Sequence, residues 1–126
     1  MSPEPGLTAT TRLTVAPSDT ALAVGSGSVP VLATPRLIAL CEEATVEAVA
    51  SHLDPGATTV GVQVRLDHVM PSPVGRKVSA EAMLEKVAGR KLSFTVSAHD
   101  DRGLIAAGKV TRVIVDEAEF MAKCDA

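Results

Sequence analysis

At 126 residues the chain suits one domain with a modest core, and a second domain is not expected. Hydrophobic residues make up 46% but aromatics only 2%, so the core is aliphatic and base-stacking nucleic-acid modules are disfavoured. A formal net charge of −3, with no dense Lys/Arg run, argues against binding to a phosphate backbone.

The amino-terminal MSPEPG has no basic segment leading into an apolar one, so it does not read as a secretory signal. From Leu7 to Val15, Thr8, Thr10, Arg12 and Thr14 alternate with less polar positions, which predicts a strand. Ala16 to Pro30 is rich in Gly, Ser and Pro and reads as a loop, of a kind able to cover a small cavity.

Val31 to Leu53 predicts a long, mostly apolar helix. Thr34 is placed to cap its first turn, a contact worth ~1 kcal/mol. Pro35 supplies the backbone angle wanted at the first helical position, and Asp54-Pro55-Gly56 stops the run. Leu37, Cys41, Ala44, Ala48 and Val49 form the inward stripe. At about 100° per residue, Glu43 and Glu47 share a solvated face. Glu42 lies nearer the apolar side, either solvated or ion-paired, or placed at a cleft or subunit boundary. Arg36 and the Glu pair keep every apolar run below the ~18 residues of a membrane span, so a soluble cytoplasmic protein is expected.

Four further strands are predicted at Thr58–Val69, Lys77–Val87, Lys91–Ala98 and Leu104–Val115, joined by turns at Pro71–Gly75, Ala88-Gly89 and Asp100–Gly103. One strand, one long helix and four antiparallel strands favour a curved sheet packed around a single helix. The ends, 1–6 and 117–126, read as flexible or peripheral. Such a chain leaves an exposed sheet edge and helix flank, and a symmetric homodimer would cover both.

Among residues with chemistry, Arg112 stands in an apolar strand and should find an acid or a ligand. His68 closes a strand beside Asp67. Gly61 marks a bulge or a close approach. His52 and His99 read as structural, Asp100, Asp101, Asp116, Glu117 and Glu119 as solvated charge, and Cys41 and Cys124 as ordinary thiols. The histidines and cysteines do not cluster, so no metal is expected.

The stretches VLATPRLIALCEEATVEAV, LDPGATTVGVQVRLDHVMPSPVG and GRKLSFTVSAHDDRGLIAAGKVTRVIV resemble the fluoroacetyl-CoA thioesterase-like branch of the hotdog thioesterases, from about Leu7 to Cys124. The resemblance implies an α+β hotdog fold, an antiparallel curved sheet wrapped around one long central helix. It also implies an acyl-CoA thioesterase, with coenzyme A entering as part of the substrate and no bound cofactor. It matches the family's catalytic threonine, glutamate and histidine to Thr34, Glu42 and His68. Substrate and coenzyme contacts fall at Gly61 and Arg112. In similar hotdog proteins two edge strands join, and the active sites lie at the subunit boundary. The fluoroacetyl-specific enzyme carries an aromatic lid where this chain has Gly25, Gly27 and Ser28, so its acyl selectivity is not expected to carry over. Two other readings share the fold: a protein that binds acyl-CoA or another small apolar ligand without turnover, and a dehydratase or isomerase.

Overall fold

A computed structural model describes residues 2–125. Five strands, β1 (Thr8–Thr14), β2 (Ala57–His68), β3 (Lys77–Ala88), β4 (Lys91–Asp100) and β5 (Gly103–Asp116), form one antiparallel sheet in the order β1-β3-β4-β5-β2. The sheet packs on one long helix, which makes the expected α+β hotdog arrangement. A short helix α1 (Ala21–Val24) precedes the long α2 (Thr34–Val49), and α3 (Glu117–Ala122) follows β5.

The core follows from period. On β3, Val78, Ala80, Ala82 and Leu84 are buried, and on β4 Leu92, Phe94, Val96 and Ala98, so alternate residues turn to one face. Three of those eight side chains are alanine, and they let α2 approach the sheet closely. The helix answers with Leu37, Leu40, Cys41, Ala44, Ala48 and Val49 at three- and four-residue spacing. Burying each large aliphatic side chain contributes about 1.5–3 kcal/mol. Thr11 on β1 donates to the Leu40 carbonyl at 2.8 Å, which fixes the helix against the sheet from within.

Several expectations change. The helix starts at Thr34, one residue ahead of the first helical position signalled at Pro35, and the earlier part of the apolar run is not helical: Val31 and Leu32 are engaged in bridges to Pro73 and Thr20. It ends at Val49 and tightens into a 3-10 turn over Ala50–His52. Thr34 is not the cap: Ala33 occupies that position with no side-chain hydrogen bond, and Thr34 is already the first helical residue. The 16–30 segment is not unstructured. It holds a 3-10 turn (Pro17–Asp19) and α1, which Thr20 caps and Gly25 ends in the left-handed region.

The last four strands are not a simple meander either. β2 leaves its sequence neighbour β3 and pairs with β5 at the sheet edge, so residues 69–76 cross from one end of the sheet to the other side. The carboxy-terminal segment forms α3, capped by Asp116, with most of its side chains exposed. Met1 and Ala126, within the termini expected to be peripheral, lie outside the described residues. Among the described residues no helix is long and apolar enough to cross a membrane.

Candidate active site

Two clusters hold the residues singled out by the sequence. In the first, the Thr34 hydroxyl sits 2.8 Å from His68 Nδ1, joining the start of α2 to the end of β2. Freed from capping, the hydroxyl is available for this contact. His68 Nε2 is buried without a hydrogen-bond partner among the described residues. Burial pushes the His68 pKa below its ordinary value, with the Met70 backbone opposing, so the neutral ring is favoured at neutral pH.

The second cluster surrounds Glu42. Arg112 donates from Nη1 to Glu42 Oε2 at 3.2 Å, from Nε to Thr59 Oγ1 at 2.9 Å and from Nη2 to the Thr59 carbonyl at 2.9 Å. The guanidinium is almost fully buried, while the Glu42 side chain keeps 34% exposure. Burial depresses the Arg112 pKa and the Glu42 carboxylate opposes that, so the ion pair favours the charged form inside the sheet.

Gly61, directly paired with Arg112, makes room for this arrangement. A Cβ there would lie 2.5 Å from Glu42 Oε2 and 3.3 Å from Arg112 Nη1. The pairing of β2 with β5 shifts by one residue between Gly61 and Gln63, a β-bulge. Beside Glu42, burial and then the carboxylate push the Cys41 thiol up to about 11, so it fills the core as a neutral group.

No described contact joins the clusters. Thr34 and Glu42 are eight residues apart on α2, about 12 Å along its axis, and Gly61 and His68 are separated by about 20 Å of β2.

Next to Thr34 and His68 opens a cavity of about 370 Å³, walled by α1, the 26–32 segment and Val69–Pro71. Its walls are tied down by groups whose roles the sequence did not disclose. Asp19 accepts from Arg36 Nε at 3.0 Å and from the Ala16 amide at 2.8 Å, which pins the 16–33 segment to the first turn of α2. Asp100, expected to be solvated, has a side chain with no exposure. It accepts from Arg102 Nη2 at 2.8 Å, Ser72 Oγ at 3.3 Å and Arg76 Nη1 at 3.3 Å. Hydrogen bonding from Arg102, ahead of the other contributions, holds its carboxyl far below the usual carboxylate range. Arg102 Nη2 also donates to the Pro71 carbonyl, so the β4–β5 turn clamps the far wall of the cavity. Thr59, Asp19 and Asp100 carried no signal beyond residue type, since their partners lie on other elements.

A wider polar depression of about 550 Å³, lined by Gln63, Arg65, Lys86 and Lys109, contains neither cluster. Among the described residues no group of three or more His, Cys, Asp or Glu side chains is placed to hold a metal ion.

A five-stranded antiparallel sheet wrapped on one helix defines the hotdog class. A hot-dog-like protein from Thermanaerovibrio acidaminovorans superposes with a TM-score of 0.88 at 22% identity, covering 95% of this chain and 89% of that one. The family model for fluoroacetyl-CoA-specific thioesterases matches residues 15–118. The fluoroacetyl-CoA thioesterase of Streptantibioticus cattleyicolor is 38% identical over 93 residues, 74% of this chain and 67% of that one. The solved structure of the fluoroacetyl-CoA thioesterase FlK matches at 30% identity and a TM-score of 0.92, covering 99% and 97% of the two chains. A thioesterase superfamily member from Thermus thermophilus matches at 28% and 0.91, covering 99% and 93%. The chain therefore belongs to the fluoroacetyl-CoA-specific thioesterase family, a family of thioester hydrolases.

Proposed function

We propose that this chain hydrolyses an acyl-CoA thioester to the free acid and coenzyme A, with Thr34, Glu42 and His68 as the reacting groups. The observation that carries the reading is the Thr34–His68 contact at the mouth of an apolar cavity, in a chain of a thioesterase family. Neutral His68 relays a proton and Thr34 hydrogen-bonds to it or to the acyl oxygen. Glu42 attacks the acyl carbon or takes a proton from the attacking water. The carbon–sulfur bond breaks and the thiolate leaves with a proton; where Glu42 itself has attacked, water then hydrolyses the resulting anhydride, releasing the free acid and restoring the Glu42 carboxylate. Gly61 and Arg112 serve the substrate site by placing the Glu42 carboxylate.

The separation of the two clusters supports a site completed by a second copy. β2 is an edge strand whose residues 61–65 are all exposed, with Val62 at 57% and Val64 at 36%. Antiparallel pairing of β2 with the β2 of a second copy would bring the His68 end of one strand towards the Gly61 end of the other. Glu42 of that copy would then face the Thr34–His68 pair. A homodimer with two shared sites follows.

Thiol release from a panel of acyl-CoA esters, with Glu42→Gln as control, tests the activity. Release that vanishes in the variant supports the reading. Binding without release would make the chain a ligand carrier, and loss of water from a hydroxyacyl ester would make it a dehydratase.

A further inference from the structure

We infer that the cavity beside Thr34 and His68 accepts an aliphatic acyl chain of medium length, so that the preferred thioester is longer than a two-carbon one. The inference rests on the hydrolytic reading above for the position of the thioester and on the cavity for everything else. A volume of about 370 Å³ falls in the range of pockets that enclose whole small molecules. A two-carbon acyl group would leave most of that space to water.

The lining fits a hydrocarbon. Ala21, Val29, Val31, Leu32, Val69 and Met70 supply aliphatic surface, while the only titratable side chain on the wall is His68. Thr34 and His68 lie together, where a thioester carbonyl would meet them, and Ser26 is the one other hydroxyl on a wall that is otherwise mostly aliphatic. Val29, Val69 and Met70 remain 52%, 60% and 41% exposed. A chain laid against them removes that apolar surface from water. Met70, unbranched and flexible, can adjust to tails of differing shape. A tail ending in a carboxylate or an amine would meet no Lys, Arg, Asp or Glu on these walls and should be disfavoured.

The test compares kcat/KM for acetyl-, butanoyl-, hexanoyl- and octanoyl-CoA. Each methylene buried should raise it about fourfold until the cavity is filled. Filling the cavity with Val29→Trp, and separately with Val69→Trp, should lower the ratio of octanoyl to acetyl turnover about tenfold or more. Affinities for the matching non-hydrolysable thioether analogues, measured by calorimetry, need no turnover. Affinity that rises with chain length in the absence of hydrolysis would support the cavity and overturn the hydrolytic reading. Efficient acetyl-CoA hydrolysis with kcat/KM flat or falling along the series, and affinity independent of length, would overturn this inference and leave hydrolysis standing.

Discussion

Gly61→Ala is the sharpest perturbation the geometry offers. An added Cβ would stand 2.5 Å from Glu42 Oε2, and ordinary contact begins at 3.4 Å, so the carboxylate oxygen must withdraw by about 0.9 Å. The Glu42 side chain is 34% exposed and can swing outward, so the fold has a cheap escape. Stability should change by less than ~1 kcal/mol, and the loss of glycine's freedom in the unfolded chain partly offsets that cost. Catalysis has no such escape. A reacting group misplaced by about 1 Å costs on the order of a hundredfold in rate, or ~2.7 kcal/mol of transition-state stabilisation. Thiol release measured beside calorimetric melting separates the two effects. A folded Gly61→Ala protein with wild-type turnover would refute both the role of Glu42 and the reason given for the glycine. Gly108→Ala serves as contrast: its Cβ would collide with the β2 backbone at Arg65 and Leu66, so that variant should lose the strand pairing itself.

Glu42→Gln should keep the fold and lower kcat by at least about a hundredfold, read by thiol release. Because Ala33 holds the cap position, Thr34→Ala should lower stability by less than ~0.5 kcal/mol while cutting turnover, and Thr34→Ser should restore part of the rate. If neutral His68 is the working form, activity rises as pH rises through a midpoint below 6.5, and a pH–rate profile reads it directly. In stability the sign is the same. The unfolded chain takes up that proton more readily, so His68 costs stability as pH falls from about 6.5 towards its lower folded value. Asp100 behaves as a depressed carboxylate: its contribution is complete above the ordinary value near 3.8 and is lost as pH falls further. Asp100→Asn should lower Tm by several degrees and flatten the acid limb of a Tm-against-pH curve.

The periodic parts of this fold were legible because their periods are local. Alternation on β3 and β4 and the three- and four-residue stripe on α2 each declare a buried face without reference to the rest of the chain. Arg112 was legible for a different reason: a guanidinium among valines needs a partner, and Glu42 is that partner. What escaped depends on distant elements. Thr34 before Pro35 carries an ordinary capping signature, and only the end of β2, 34 residues later, diverts its hydroxyl. Asp100 beside Asp101 looks like any polar turn until Ser72, Arg76 and Arg102 close over it. The pairing of β2 with β5 was equally hidden, since no residue of β2 names its neighbour.

The bulge in β2 decides which residues can work together. Ahead of it, odd-numbered Thr59 and Gly61 turn towards Arg112 and the helix, while beyond it even-numbered Leu66 and His68 do so. The one unmatched residue, Val62, is a change of phase written into the strand. Were Val62 paired like its neighbours, the two ends of β2 would present their chemistry to opposite sides of the sheet. Deleting Val62 would remove the bulge and leave an unbroken strand with Gly61 and His68 still on one face, whereas pairing Val62 in line would turn His68 away from Thr34. A one-residue change in β2 is therefore tolerated only at the bulge; anywhere else in the strand it reverses the face of one half of the site.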